Sequence, residues 1–105
     1  MAIFVLLYSG AGMPEGEAEQ AAVMQAWMAW YGALGNAVVD VGNPFTAVAK
    51  SIASDGTVSD RPASEVASGY LIIQADSLDA AVEMAKGCPL QDGQEISVFE
   101  TFPAM

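Results

Sequence analysis

Residues 69–75 read GYLIIQA, a largely apolar run without regular alternation. Such a run is typical of a strand that is buried on both faces. A helix is predicted to follow, with Asp76 as its N-cap and Asp79 completing a pair similar to a capping box. This helix runs through Lys86 and stops at a Gly-Cys-Pro sequence, and a second strand is predicted at Glu95–Glu100. The C-terminal third therefore predicts a strand, a helix and a strand.

The front of the chain predicts the same order of elements. Ala2–Tyr8 is again apolar without alternation, so it predicts another strand that is buried on both faces. Pro14 suits the first turn of a helix, which we expect to run to about Leu34 with Gly35-Asn36 as its cap. A short strand is predicted at Ala37–Val41.

The middle of the chain predicts a hairpin. Phe45–Ser54 can form an extended run, Asp55-Gly56 is a strong hairpin-turn dipeptide, and Thr57–Asp60 is the return strand. The full order is therefore β-α-β, a hairpin, then β-α-β. This is the ferredoxin-like split β-α-β plan of an α+β fold, in which two helices cover one face of an antiparallel sheet.

The uncovered face of that sheet is expected to need a partner. With the hairpin set aside, the plan has four strands, and the first and third of them are central. These are the two apolar runs without alternation, at Ala2–Tyr8 and at 69–75. A second copy of the same sheet would cover the open face and form a dimeric α/β barrel. Because symmetric homodimers are the commonest closed assembly, we expect a homodimer.

Composition restricts the possible functions. At 105 residues we expect one domain over residues 1–105. Hydrophobic residues make up 53% of the chain, more than a domain of this size easily buries, so the surplus should face a partner or a ligand. The net charge is −10, with only three Lys and Arg residues, which argues against nucleic-acid binding because phosphates require cations.

Membrane insertion and metal chemistry are also not expected. The apolar runs are far shorter than the roughly 18 residues of a membrane-spanning helix. Ala2–Tyr8 has no Lys or Arg before it, unlike a signal peptide, so we expect a cytoplasmic protein without a membrane partner. The chain has no histidine, and Cys88 follows a helix C-terminus, where the dipole disfavours a thiolate. We predict neither a metal site nor a cofactor.

Several short motifs follow one another along the chain. They are VDVGNP at 39–44, Ser54-Asp55-Gly56, Gly69-Tyr70, ADSLDAA at 75–81, AKGCP at 85–89, and the pair Trp27 and Trp30. In their order and spacing, from Phe4 to Phe102, they resemble the YCII-related family and its DGPF-type relatives. The resemblance implies a ferredoxin-like homodimer with a pocket between helix and sheet, like those of cofactor-independent isomerases and monooxygenases of similar fold. It also matches Asp40 to the family aspartate, whose proposed histidine partner is missing from this chain.

Asp40 is the candidate catalytic residue. It is an acid within an apolar strand, and burial would raise its pKa so that it could act as a base near neutral pH. The alternative is that Asp40 points to solvent at a strand end. Asn43 is a candidate for orienting a ligand, although the chemistry of its Gly-Asn-Pro turn explains it equally well.

Aromatic residues are the candidates for ligand binding. Trp27, Trp30 and Tyr31 share one stripe of the first predicted helix, where they either line a pocket or pack in the core or at a dimer contact. Tyr8 ends the first strand, where its hydroxyl could reach the mouth of a cavity, and Tyr70 is placed similarly on the third strand.

Two functions are compatible with these features. The first is a homodimeric module that binds a small apolar or aromatic molecule without catalysis. The alternative is a cofactor-independent enzyme, such as an isomerase, a lyase or a monooxygenase-like protein, with Asp40 as its general base. The missing histidine favours the first.

Overall fold

The computed structural model describes residues 2–10, 16–46, 48–60, 67–90 and 93–102. These residues form six strands and two helices, joined in part by a short 3-10 turn at Gly35–Ala37. The elements are β1 (Ala2–Ser9), α1 (Glu17–Leu34), β2 (Val38–Asp40), β3 (Lys50–Ile52), β4 (Val58–Asp60), β5 (Gly69–Ala75), α2 (Leu78–Ala85) and β6 (Glu95–Glu100). The predicted order is confirmed, while the predicted helix start at Pro14 lies outside the described residues.

Four of the strands form one antiparallel sheet in the order β2-β5-β1-β6. The apolar strands β1 and β5 are its central strands, as predicted. The protein is therefore an α+β fold, and its antiparallel sheet and two helices are compatible with a ferredoxin-like plan.

One face of the sheet forms the core. Phe4 pairs with Ile73 and Leu6 pairs with Leu71, and all four side chains are fully buried. Along β5 these buried residues alternate with half-buried ones. The sequence predicted burial on both faces of the central strands, whereas one copy of the chain fully buries only the face that also contacts the helices.

The N-cap of α2 differs from the prediction. The hydroxyl of Ser77 accepts a hydrogen bond from the backbone N–H of Ala80 at 3.1 Å, so Ser77 and not Asp76 is the N-cap. Asp79 lies in the first turn of α2, where its negative charge interacts favourably with the helix dipole. It is not the capping-box partner, because the residue three positions after Ser77 is Ala80. The predicted end of α1 is confirmed, because Gly35 has a φ of 56° and its N–H donates to the carbonyl of Tyr31.

The hairpin is present, but its first strand is shorter than predicted. Lys50–Ile52 pairs with Val58–Asp60 in a separate two-stranded sheet. The start of the predicted run instead continues along the edge of the main sheet, where Pro44 bridges Gly69 and the N–H of Phe45 donates to the carbonyl of Ser68 at 2.8 Å. No helix in the described part of the chain is long and apolar enough to cross a membrane.

Candidate functional site

Four of the predicted ligand-binding residues form one aromatic cluster between α1 and the sheet: Tyr8, Trp27, Trp30 and Tyr31. Their helical spacing places the last three on the face of α1 that packs against the sheet. Tyr8 reaches them from β1, with its ring centroid 5.1 Å from that of Trp27. The other ring pairs lie 5.5 to 5.9 Å apart in tilted or edge-to-face arrangements, which are favourable for aromatic side chains.

Trp30 has a clear packing role within this cluster. Its side chain is buried, and its indole N–H donates to the backbone carbonyl of Met84 at 3.0 Å. The bond links α1 to the last turn of α2. Gly87 lies close beside the same indole, where a Cβ would be only 3.1 Å from it. For Trp30 the geometry therefore favours the packing alternative over pocket lining.

The ionisable groups near the aromatic cluster are held in their protonated forms. Burial raises the pKa of Tyr8 to about 12, with smaller contributions from Tyr31 and Cys88. Burial, followed by the nearby Cys88, also raises the pKa of Tyr31. The pKa of Cys88 rises to about 12 for the same reason, its burial. At neutral pH these groups can form hydrogen bonds, but they do not supply a base or a thiolate nucleophile.

Asp40 lies in a different group, which we call the Asp40 cluster and which consists of Asp40, Tyr70 and Phe45. The carboxylate of Asp40 accepts hydrogen bonds from the N–H of Gly42 at 2.8 Å and from the hydroxyl of Tyr70 at 3.4 Å. The Tyr70 ring stacks on Phe45 with centroids 5.9 Å apart and an interplanar angle of 27°. Asp40 itself is exposed, as the alternative interpretation of this residue expected.

An irregularity in β2 decides which face of the sheet Asp40 occupies. Val38 pairs with Ile73 and packs against the core, whereas Asp40 pairs with Ile72 on the opposite face. Residues two apart in a regular strand would share a face. The register shift between Val38 and Asp40 therefore moves the carboxylate away from the helices.

The predicted site residues thus divide between the two faces of the sheet. Tyr8 pairs with Gly69 on the face that meets α1, while Leu7 pairs with Tyr70 on the other. The structure does not bring Asp40 and the aromatic cluster into one site within a single copy of the chain. Asn43 is exposed at the edge of the sheet, where its backbone carbonyl accepts from the N–H of Tyr70 at 3.4 Å.

Phe45 was not a candidate in the sequence, although it completes the Asp40 cluster. The only local signal is the neighbouring Pro44, whose fixed φ suits the edge of a sheet. Its contact with Tyr70 depends on how the chain follows the edge of β5, and no short sequence pattern encodes that path. Among the described residues, no group of three or more His, Cys, Asp and Glu side chains could hold a metal ion.

Comparison with known protein families and with curated proteins finds no match to this chain. Membership of the YCII-related family therefore stays a prediction from the order and spacing of the motifs.

Proposed function

We propose that this chain is a homodimeric module that binds a small apolar or aromatic molecule. The observation that carries the proposal is the open face, which we define as the sheet face away from the helices around Ile3, Val5, Leu7, Ile72 and Phe99. These residues follow from the register of β1, β5 and β6. Ile3 and Phe99 are 37% and 51% exposed, and the other three are half-buried. A second copy of the sheet would cover them in a ferredoxin-like, dimeric α/β barrel.

The exposed area supports a partner of substantial size. The chain exposes 7064 Å², whereas a compact monomer of 10.9 kDa is expected to expose about 5600 Å². The difference is about 1500 Å², and one partner in a standard interface contributes about 800 Å². The radius of gyration of 15.2 Å also exceeds the roughly 13 Å expected for a compact chain of this length.

The distribution of charge favours a second copy as that partner. Two copies that each carry a net charge of −10 repel unless their contact avoids acidic side chains. The open face is uncharged at its centre. Its two acidic residues, Asp40 and Glu95, lie on the outer strands β2 and β6. A basic partner would instead bind the acidic surface outside the open face, because opposite charges attract there. We expect a cytoplasmic homodimer, in keeping with the sequence.

The Asp40 cluster is our preferred ligand site. The stacked rings of Phe45 and Tyr70 offer an apolar surface, and the Asp40 carboxylate beside them can accept a hydrogen bond from a ligand. In the aromatic cluster, by contrast, the rings already pack against one another. We therefore expect a ligand with a flat apolar part and one hydrogen-bond donor.

A second candidate function is a cofactor-independent enzyme, such as an isomerase, a lyase or a monooxygenase-like protein. The specific observation is the pairing of the Asp40 carboxylate with the Tyr70 hydroxyl, which places a possible base beside a possible donor. In this function Asp40→Asn abolishes turnover and leaves the fold intact, and retained turnover in that variant contradicts the role of Asp40 as a base.

The homodimer is tested by sedimentation equilibrium. We expect twice the chain mass of 10.9 kDa at micromolar concentration. Val5→Glu places a charge at the centre of the open face and should give a monomer. The matched control, Ala29→Glu, adds the same charge at an exposed position of α1 and should stay dimeric. A wild-type monomer throughout contradicts the proposal.

Ligand binding is tested with Nile red, a neutral apolar dye that the acidic surface does not repel. We expect the wild-type protein to enhance the dye fluorescence and Phe45→Ser to lose most of that enhancement. The control is Phe102→Ser, which removes an equally apolar side chain that is 82% exposed and outside the Asp40 cluster. Equal enhancement by wild type and Phe45→Ser would rule out this site.

A further inference from the structure

The hairpin of β3 and β4 has two unequal faces. We call residues 48–60 the arm. Ile52 pairs with Val58 and Lys50 pairs with Asp60, and because the faces of a strand alternate, these four side chains share one face. The opposite face carries the pair Ser51 and Ser59. The arm is therefore amphipathic, with its large aliphatic side chains on a single side.

The aliphatic side of the arm faces solvent in a single copy of the chain. Ile52 is 73% exposed and Val58 is 55% exposed, and Val48, just before β3, is 80% exposed. On the other side, Ser51 is half-buried and Ser59 is exposed. The larger apolar side chains are thus left outward, the reverse of what burial within one chain would favour.

Local interactions give the arm a defined shape without covering this side. The Asp55 carboxylate accepts from the N–H of Thr57 at 2.8 Å, and Gly56 supplies the positive φ of 92° at the turn. The ion pair of Lys50 and Asp60 is exposed at both ends and contributes little. A hairpin that forms its own two-stranded sheet is marginally stable in water without packing against another surface.

We propose that the arm packs its Ile52 and Val58 side onto the second subunit, an inference that rests on the homodimer proposed above. The open face alone is small for a stable dimer interface. Its strands β1, β2, β5 and β6 are eight, three, seven and six residues long, and at about 3.3 Å per residue and about 4.8 Å between strands they span about 380 Å² in projection. One partner contributes about 800 Å² to a standard interface, so the dimer needs further apolar surface, and the arm supplies a well-defined part of it.

The charge on this side of the arm is compatible with a second copy as the partner. Lys50 neutralises Asp60 on the aliphatic side of the arm, so that side carries no net charge. A copy of this acidic chain can approach it without like-charge repulsion. In a two-fold dimer each arm contacts the other subunit, so every arm residue counts twice in the association free energy.

The test compares dimer dissociation constants from sedimentation equilibrium. The double variant Ile52→Ser, Val58→Ser is expected to raise the dissociation constant at least about tenfold, because two arms each lose two apolar contacts. The control Ser51→Thr, Ser59→Thr changes the opposite side of the same hairpin and should leave the constant within about twofold. Circular dichroism of each variant at low concentration checks that the main sheet and helices persist.

Hydrogen exchange of the wild-type protein gives a second readout that requires no variant. Amides of the arm should be protected above the dissociation constant and exchange rapidly below it. An unchanged dissociation constant in the double variant, or equally fast exchange at both concentrations, overturns the arm contact and leaves the homodimer standing. A wild-type chain that is monomeric throughout overturns the homodimer and the arm contact together.

Discussion

Gly69 lies directly opposite Tyr8 in the antiparallel pair of β5 and β1, and the ring of Tyr8 occupies the space that a side chain at position 69 would need. A Cβ at Gly69 would clash with the Cζ, Cε2 and hydroxyl oxygen of Tyr8. The absence of that atom lets the Tyr8 ring contact Trp27 in α1. This one glycine therefore permits the aromatic cluster to form.

Gly69→Ala is accordingly expected to destabilise the fold by about 1–3 kcal/mol, because the added methyl must displace a packed ring. Urea unfolding followed by circular dichroism measures the loss. Gly32→Ala is the matched control, since Gly32 is an exposed residue within α1 and a Cβ there meets no atom within 4 Å. That variant should gain about 0.5–1 kcal/mol through helix propensity. An unchanged midpoint in Gly69→Ala would contradict the proposed contact.

Trp30→Phe is expected to cost about 1–3 kcal/mol, because the smaller ring leaves part of a buried site unfilled and the indole hydrogen bond to Met84 is lost. The Met84 carbonyl then still accepts from the N–H of Gly87, at 3.3 Å. Trp27→Phe is the comparison, since Trp27 is half-buried and is held by ring contacts with its neighbours. Thermal unfolding should place Trp27→Phe closer to wild type than Trp30→Phe. The reverse order would show that the hydrogen bond to Met84 is not important for stability.

Ser77→Ala is expected to cost about 0.5–2 kcal/mol through loss of the N-cap of α2. Asp76→Ala removes a neighbouring side chain of the same capping type and should cost clearly less. Urea midpoints of the two variants measure this difference directly. A larger loss of stability in Asp76→Ala than in Ser77→Ala would show that Asp76 is the N-cap, as the sequence predicted.

The sequence predicted the order of the elements well because each boundary carries its own chemical signal. The apolar runs at Ala2–Tyr8 and 69–75, and the turn dipeptide Asp55-Gly56, are local features that act over a few residues. The α2 cap was wrong by one residue because Asp76 and Ser77 are both good N-cap residues. Since both side chains can cap a helix, the position of the cap depends on where the backbone leaves β5 and begins α2.

The candidate site was less predictable because it depends on pairing between distant strands. A shift of one residue moves a side chain to the other face of a sheet. The irregularity between Val38 and Asp40 moves the Asp40 side chain to the other face, and no residue in the sequence VVDV predicts that irregularity. The contact of Phe45 with Tyr70 likewise depends on the path of the chain along the edge of β5. The helical stripe of aromatic residues was predictable because its spacing is local.

The final prediction concerns alkaline pH, where stability should fall. The pKa of Tyr8 rises from 10.0 to about 12 and that of Cys88 from 9.0 to about 12, in both cases chiefly through burial. Between these limits the unfolded chain releases protons that the folded chain keeps, so the free energy of unfolding decreases as the pH rises. The contribution of both groups to the free energy of unfolding is fully present below about pH 9 and is lost as the pH approaches about 12.

Urea midpoints measured from about pH 7 to about pH 11 check this behaviour, with each variant referred to its own value at neutral pH. Cys88→Ala removes the group with the lower unfolded pKa, so its loss of stability should begin near pH 10 and not near pH 9. Tyr8→Phe should make the decrease above pH 10 shallower. Thiolate and tyrosinate absorbance assign each step to its group. A midpoint that stays level up to pH 11 in the wild-type protein would show that Tyr8 and Cys88 titrate in the folded chain as they do in water.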